Sequence, residues 1–327
     1  MADRVSTNAL IVIAALALAG LGRAQKLRHG VMDASAVIVV EPLEIVELDE
    51  HRVVHRFSVV ETFKGEVGET VAVIEHAHVA DAPSPRGKGR RLLCLVPDRR
   101  ADTPKDGGPF WRATGYAGDA PQLDANAASV ELLTLVRALV ASERGVDPAR
   151  TTDALVRLVL SGHGVAQREA AESLRERDAL RTRIPSVELD AMLARAVAET
   201  TDVDLKVTLA SLCAEAGMRN AVEALCSALP QCQDERFATA LGRIAAHVHG
   251  ERATAVLVPF LQQARGPTRD ALLIALGATR TESALTQLLE MRARTGPSPA
   301  LDAALRTHGS ARALEIVEPK RKDGAPR

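Results

Sequence analysis

Residues 270–279 read DALLIALGAT, an Ala/Leu run closed by Gly277. Its apolar positions follow helical spacing, and they leave almost no polar stripe for water, which predicts a helix packed inside other helices. The run does not stand alone. Close variants occur at LKVTLASLCAEAG (205–217) and RFATALGRIAAHV (236–248). Leu209, Leu241, Leu273 and Leu305 are each 32 positions apart, as are Leu193, Leu225, Leu257 and Leu289, while Leu212, Ile244 and Leu276 keep the same register. One unit earlier, Leu155 and Leu174 precede Leu193 and Leu212 by 38, and the surplus fits a longer loop at RERDALRTRIPS (175–186).

Each unit holds two helical runs. AVEALCSAL (221–229) and ATAVLVPFL (253–261) supply first runs, and the Ala/Leu segments above supply second runs. Glycines at 217, 250, 277 and 309 are placed to close the second runs with left-handed C-caps. A two-helix unit of this size buries too little apolar surface to offset the entropy of ordering its backbone, so neighbouring units have to stack.

The segments LLIALGATRTESALTQLLEM (272–291) and LASLCAEAGMRNAVEALCSAL (209–229) resemble short HEAT-type (armadillo-like) repeats. The resemblance covers about residues 151–317 and implies an α-solenoid of about five units. Such arrays are mostly binding scaffolds, so it implies a protein partner on a concave face lined by the second helices, and no reaction.

The first half has a different period. Strands are expected at 35–40, 43–48, 53–63, 69–76, 91–96 and 109–116, separated by KGEVG, APSPRGKG and PKDGG turns. A helix is expected at 127–143, within a connector spanning 126–150. A β-rich domain over 25–125 would then form a small antiparallel barrel or sandwich. The stretches SAVIVVEPLEIVEL (35–48), FSVVETFKGEVGETVAV (57–73) and GRRLLCLV (89–96) resemble the netrin/TIMP-like OB-type domain of exported bacterial proteins. Protease-inhibiting members of that family chelate zinc through an N-terminal cysteine. The expected mature end here is Gln25 and the β region holds only Cys94, so the resemblance does not carry that chemistry over.

The compartment follows from residues 1–24. Arg4 precedes fourteen uncharged residues, Ala9–Gly22, and Gly22-Arg23-Ala24 places small residues for signal peptidase. Fourteen residues fall short of the roughly 20 that span a bilayer as a helix. A buried N-terminal helix is the other reading, but no polar face interrupts the run. A secretory signal, with a periplasmic or extracellular mature protein, is therefore expected. Leu21 stands where a lipoprotein signal would carry cysteine, and no stable membrane insertion is expected after cleavage.

With 25% charged residues, 46% apolar residues and a net charge of −1, the chain has no electrostatic lean toward nucleic acid. From residue 151 onward there are 23 basic and 22 acidic side chains, where a DNA-binding array would be basic. Aromatic residues make up 2%, with Trp111 and Tyr116 each the only one of its kind. The tail from 318 to 327 is short and basic.

Few residues carry candidate chemistry. His76 and His78 share one strand face and, with His51 and His55, could bind a metal, although no spacing fixes a third ligand; solvated loop histidines are the simpler reading. His247 and His249 sit where a helix C-terminus favours imidazolium. Gly87-Lys88-Gly89 lacks the strand–loop–helix frame of a phosphate cradle. Cys213, Cys226 and Cys232 are small buried thiols or, if Pro230 breaks the helix, include a bridged pair. No nucleophile or zinc-hydrolase motif occurs, so no catalytic, cofactor or metal residue is assigned. The expectation is a non-enzymatic interaction protein, with a ligand- or metal-binding β domain framed by the solenoid as the alternative.

Overall fold

A computed structural model of the chain describes residues 27–76, 89–99, 110–114, 121–232 and 234–318. Within these a mixed β-sheet precedes a helical region of thirteen α-helices, and the chain divides into two compact units between Ala154 and Leu155.

The first unit opens with α1 (Leu27–Asp33), followed by β1 (Ala36–Asp49), β2 (Arg52–Lys64), β3 (Thr70–His76), β4 (Arg90–Pro97), β5 (Phe110–Ala113) and β6 (Gln122–Leu123). The sheet order is β1-β2-β3-β5-β4-β6, with β4 also paired to β1 and β3–β5 the parallel contact. The pairings among β1 to β5 therefore return to their starting strand. Ala36, Ile38, Val40, Phe57, Val71, Val73, Leu93 and Leu95 form the buried core. Val37, Val39, Leu92 and Cys94 point to the opposite face and are also buried.

The two strands expected at 35–40 and 43–48 are one strand, β1, which runs through Pro42. Proline is tolerated because β4 pairs with β1 only as far as Val40, and the β1–β2 register shifts between Pro42 and Glu44. Helix α2 (Ala127–Glu143) starts on the Asn126 side chain, which accepts from Ser129 N, and packs against α1 and β2. Lys64 ties these elements together. Its ammonium donates to the Val31 and Met32 carbonyls at 3.2 and 2.9 Å and pairs with Glu143 at 2.7 Å.

The remaining helices are α3 (Pro148–Ser161), α4 (Gly164–Glu176), α5 (Asp178–Arg181), α6 (Ser186–Val197), α7 (Val203–Glu215), α8 (Ala221–Ala228), α9 (Glu235–His249), α10 (Ala253–Gln263), α11 (Gly266–Ala278), α12 (Glu282–Thr295), α13 (Pro299–His308) and α14 (Ala311–Val317). Helices α4, α7, α9, α11 and α13 pack side by side in that order. From α7 on they begin at Val203, Glu235, Gly266 and Pro299, intervals of 32, 31 and 33 residues. The others alternate with them: α8 seats on α7 and α9, α10 on α9 and α11, and α12 on α11 and α13.

The leucine columns lie in this packing. Leu209, Leu241, Leu273 and Leu305 are all at most 1% exposed, and Leu212, Ile244 and Leu276 are buried beside them. Of the column through Leu193, only Leu289 is half-exposed. DALLIALGAT forms most of α11, where every residue from Ala271 to Thr279 except Ile274 is buried.

The glycines expected as C-caps divide into two kinds. Gly217 (φ 91°) closes α7 as the left-handed residue of a Schellman turn, with Gly217 N donating to Ala214 O and Met218 N to Cys213 O. Gly250 and Gly309 also have positive φ. Gly277 does not: it lies inside α11, and a Cβ there would fall 2.1 Å from the Ala304 carbonyl oxygen of α13. Gly242 of α9 is its counterpart, with a Cβ placed 2.0 Å from the Ala275 oxygen. The left-handed residue that follows α11 is Arg280 (φ 56°).

These contacts make a direct prediction. Gly277→Ala is expected to destabilise the protein by about 1–3 kcal/mol through forced separation of α11 and α13. Chemical denaturation measures this, and an unchanged midpoint would contradict the close approach.

Candidate functional site

The sequence-marked histidines are not gathered into one place. His55 on β2 is buried, its Nε2 2.9 Å from Glu75 Oε2 on β3, and its ring stacks on Phe57. His51 lies in the β1–β2 turn, where its backbone N–H donates to Asp49 Oδ1. His76 ends β3 with its Cα opposite Arg52, and His78 lies outside the described residues. Among the described residues no three His, Cys, Asp or Glu side chains are grouped to hold a metal ion. Of the Gly87-Lys88-Gly89 motif only Gly89, leading into β4, is described.

His247 and His249 occupy the last turn of α9, as the helix-end reading placed them. His308, which sequence reasoning passed over, holds a more constrained position. Its Nε2 lies 3.1 Å from the Thr281 carbonyl and its Nδ1 3.0 Å from Ser310 Oγ. Thr281 also belongs to a hydroxyl cluster with Thr254, Thr279 and Ser283, at separations of 3.1, 3.2 and 3.2 Å, and its Oγ1 caps α12 by accepting from Ala284 N. This network fastens the start of α10, the α11–α12 turn and the end of α13. The available sign was that His308 and His249 are each the last helical residue before a positive-φ glycine.

All four cysteines are buried, and none is in a disulfide. Pro230 does end α8, in a 3₁₀ turn at Leu229–Gln231, without a bridge forming between Cys226 and Cys232. Burial, reinforced by the nearby Asp190 carboxylate, pushes the Cys213 thiol up to about 12 from an ordinary 9.0; burial and Glu223 do the same at Cys226. Cys213 Sγ faces the Leu189 carbonyl at 3.6 Å. Such thiols are poor nucleophiles and poor metal ligands at neutral pH.

Besides a smaller groove of about 270 Å³ lined by Phe63, Arg137 and Arg144 among others, two larger ones lie among the described residues. One, of about 770 Å³, lies in the first unit and is lined by Leu43, Arg56, Glu66, Thr70 and Trp111 among others. Arg56 and Glu44 form an exposed ion pair at 3.0 Å there. The other, of about 330 Å³, runs between α10 and α12. Val258, Leu261 and Met291 form its apolar floor, and Arg265, Arg269 and Arg294 stand around it. Helical spacing puts these residues together: Val258, Leu261 and Gln262 share one stripe of α10, and Gln287, Met291, Arg294 and Thr295 one stripe of α12.

Comparison with known families finds no matching family model, and no characterised protein matches the chain. Among the described residues no helix is long and apolar enough to cross a membrane.

The raised thiol values set a stability window. Because Cys213 and Cys226 hold their protons more tightly folded than unfolded, their contribution is complete below about pH 9 and is lost as pH rises toward 12. The melting temperature is expected to fall over that range, and less steeply in a Cys213→Ala/Cys226→Ala variant. Native protein near pH 8 should leave both thiols unmodified by a disulfide reagent until denaturant is added. Rapid labelling of both in the native state would contradict their burial.

Proposed function

We propose that the chain is an exported, non-enzymatic interaction protein whose helical region is a HEAT-like α-solenoid that binds a protein partner. The observation that carries this reading is the alternating two-layer packing with its 31–33-residue recurrence. Repeats of this kind spend their interior on holding neighbours together and leave a long surface for another molecule. The β unit is read as an OB-type barrel, on the support of the strand circuit β1-β2-β3-β5-β4-β1 with its parallel β3–β5 pair. Export rests on the leader-like residues 1–24, which places the partner in the periplasm or outside the cell.

A second reading, a small-ligand site in the β unit with the solenoid as its frame, is favoured by the Trp111-lined groove. One experiment separates the two. The mature protein, purified from the exported fraction, is cross-linked in periplasmic extract and, in parallel, analysed for metal and retained small molecules. The interaction reading expects residues 1–24 absent by intact mass and one protein cross-linked at defined stoichiometry, with Trp111 fluorescence unmoved by extract metabolites. A stoichiometric metal or metabolite with no cross-linked protein would overturn it in favour of the second.

A further inference from the structure

The α10–α12 groove says more about the partner than its presence. Its floor is apolar: Leu261 is 5% exposed, and Val258 and Met291 are half-buried beside it. Its rim is cationic and incompletely neutralised. Arg265 spends one nitrogen on the Gln262 and Ala264 carbonyls, at 3.0 and 2.9 Å. Arg294 faces Glu290 at 3.8 Å, both side chains largely in solvent. Arg269 has no carboxylate partner among the described residues. The adjoining start of α11 adds to the same sign, because its first turn carries no acidic residue and its N-cap side chain makes no capping hydrogen bond.

We propose that this groove receives an acidic amphipathic helix of the protein partner, its leucine-like residues on the Val258–Leu261–Met291 floor and its carboxylates on Arg265, Arg269 and Arg294. The inference rests on the scaffold reading above. The α12 stripe from Gln287 to Thr295 extends about 12 Å, which matches roughly two turns of a helix lying along it. Guanidinium forks suit carboxylates at such a rim, where each contact stays partly in water and adds selectivity. The chain's own C-terminal sequence lacks the required charge: Lys320, Arg321, Lys322 and Arg327 outnumber Glu318 and Asp323, so the segment carries the same sign as the rim. Nucleic acid is disfavoured by the charge balance of the region and by an aliphatic floor with no aromatic surface on which a base could stack.

The test uses the full mature chain and labelled probes in fluorescence anisotropy. The probes are a peptide of about 18 residues with leucine at helical spacing and glutamate between, the same peptide with lysine for glutamate, the same with serine for leucine, and a single-stranded oligonucleotide. The acidic amphipathic peptide should bind at least about tenfold more tightly than any other probe and weaken as salt is raised. Arg269→Glu should lower its affinity by about tenfold or more without moving the melting temperature, and Met291→Glu should act likewise. Arg56→Glu, in the other unit, should change nothing. Equal binding of the lysine peptide or the oligonucleotide, or an unaltered affinity in Arg269→Glu, would overturn the proposal. Cross-linking of a native partner by a chain that binds no acidic peptide would remove the groove and leave the scaffold reading standing. Absence of any cross-linked partner would remove the reading beneath it.

Discussion

The second unit depends on how closely α9, α11 and α13 approach one another. At Gly242 and Gly277 the neighbouring helix backbone occupies the space a Cβ would take, and the facing residues are Ala275, Ala278 and Ala304. Small residues at these points allow the helices to lie near backbone contact, and the leucines at intervals of 32 then fill the space to either side. Packing at this density gives each inner helix most of its stability through its neighbours rather than through its own propensity. It also explains why α11 is buried almost throughout from Ala271 on. Flanked on both sides and covered by α10 and α12, its Ala/Leu part from Ala271 to Ala278 leaves only Ile274 half-exposed, while the first turns, Gly266 to Asp270, reach solvent.

The same constraint pushes exposed side chains outward. With the inner helices packed on one another, most exposed side chains belong to the alternate layer and its turns, and the α10–α12 groove adds Arg269 from the exposed first turns of α11. The polar groups that are buried knit turns together, as His308 does with Thr281 and the hydroxyls of Thr254 and Thr279. In the first unit Lys64 plays a comparable part, satisfying the last carbonyls of α1 while pairing with α2. Its positive charge at the end of α1 also opposes the negative end of that helix.

Much of this could be read from the residues. The 32-residue recurrence located the inner helices, because the same buried position in each two-helix unit leaves a periodic trace of leucine. Helix α2 lies where a helix was expected, at 127–143. The merging of 35–40 and 43–48 into β1 was not, since whether proline breaks a strand depends on where the neighbouring strand ends, and that is a tertiary fact. Gly277 was misread for a similar reason. A glycine near a helix end serves either a left-handed turn or a close crossing, and the sequence does not distinguish the two. The α10–α12 groove was invisible because its floor comes from α10 and α12 and its arginines from the start of α11 and from α12, and the adjacency of these helices appears only after the units stack. Reading the histidines as solvated loop residues misses His55, which strand register buries on β2 opposite Val73, while His76 stands opposite Arg52.

The central claim is that α9, α11 and α13 hold one another in place. Hydrogen exchange on the Leu273→Ala protein addresses it most directly, because the substitution opens a cavity in α11 alone. Interdependent packing predicts that protection falls together in α9, α11 and α13 while the β-sheet keeps its own. Loss confined to α11, with α9 and α13 exchanging as in the parent chain, would contradict the account.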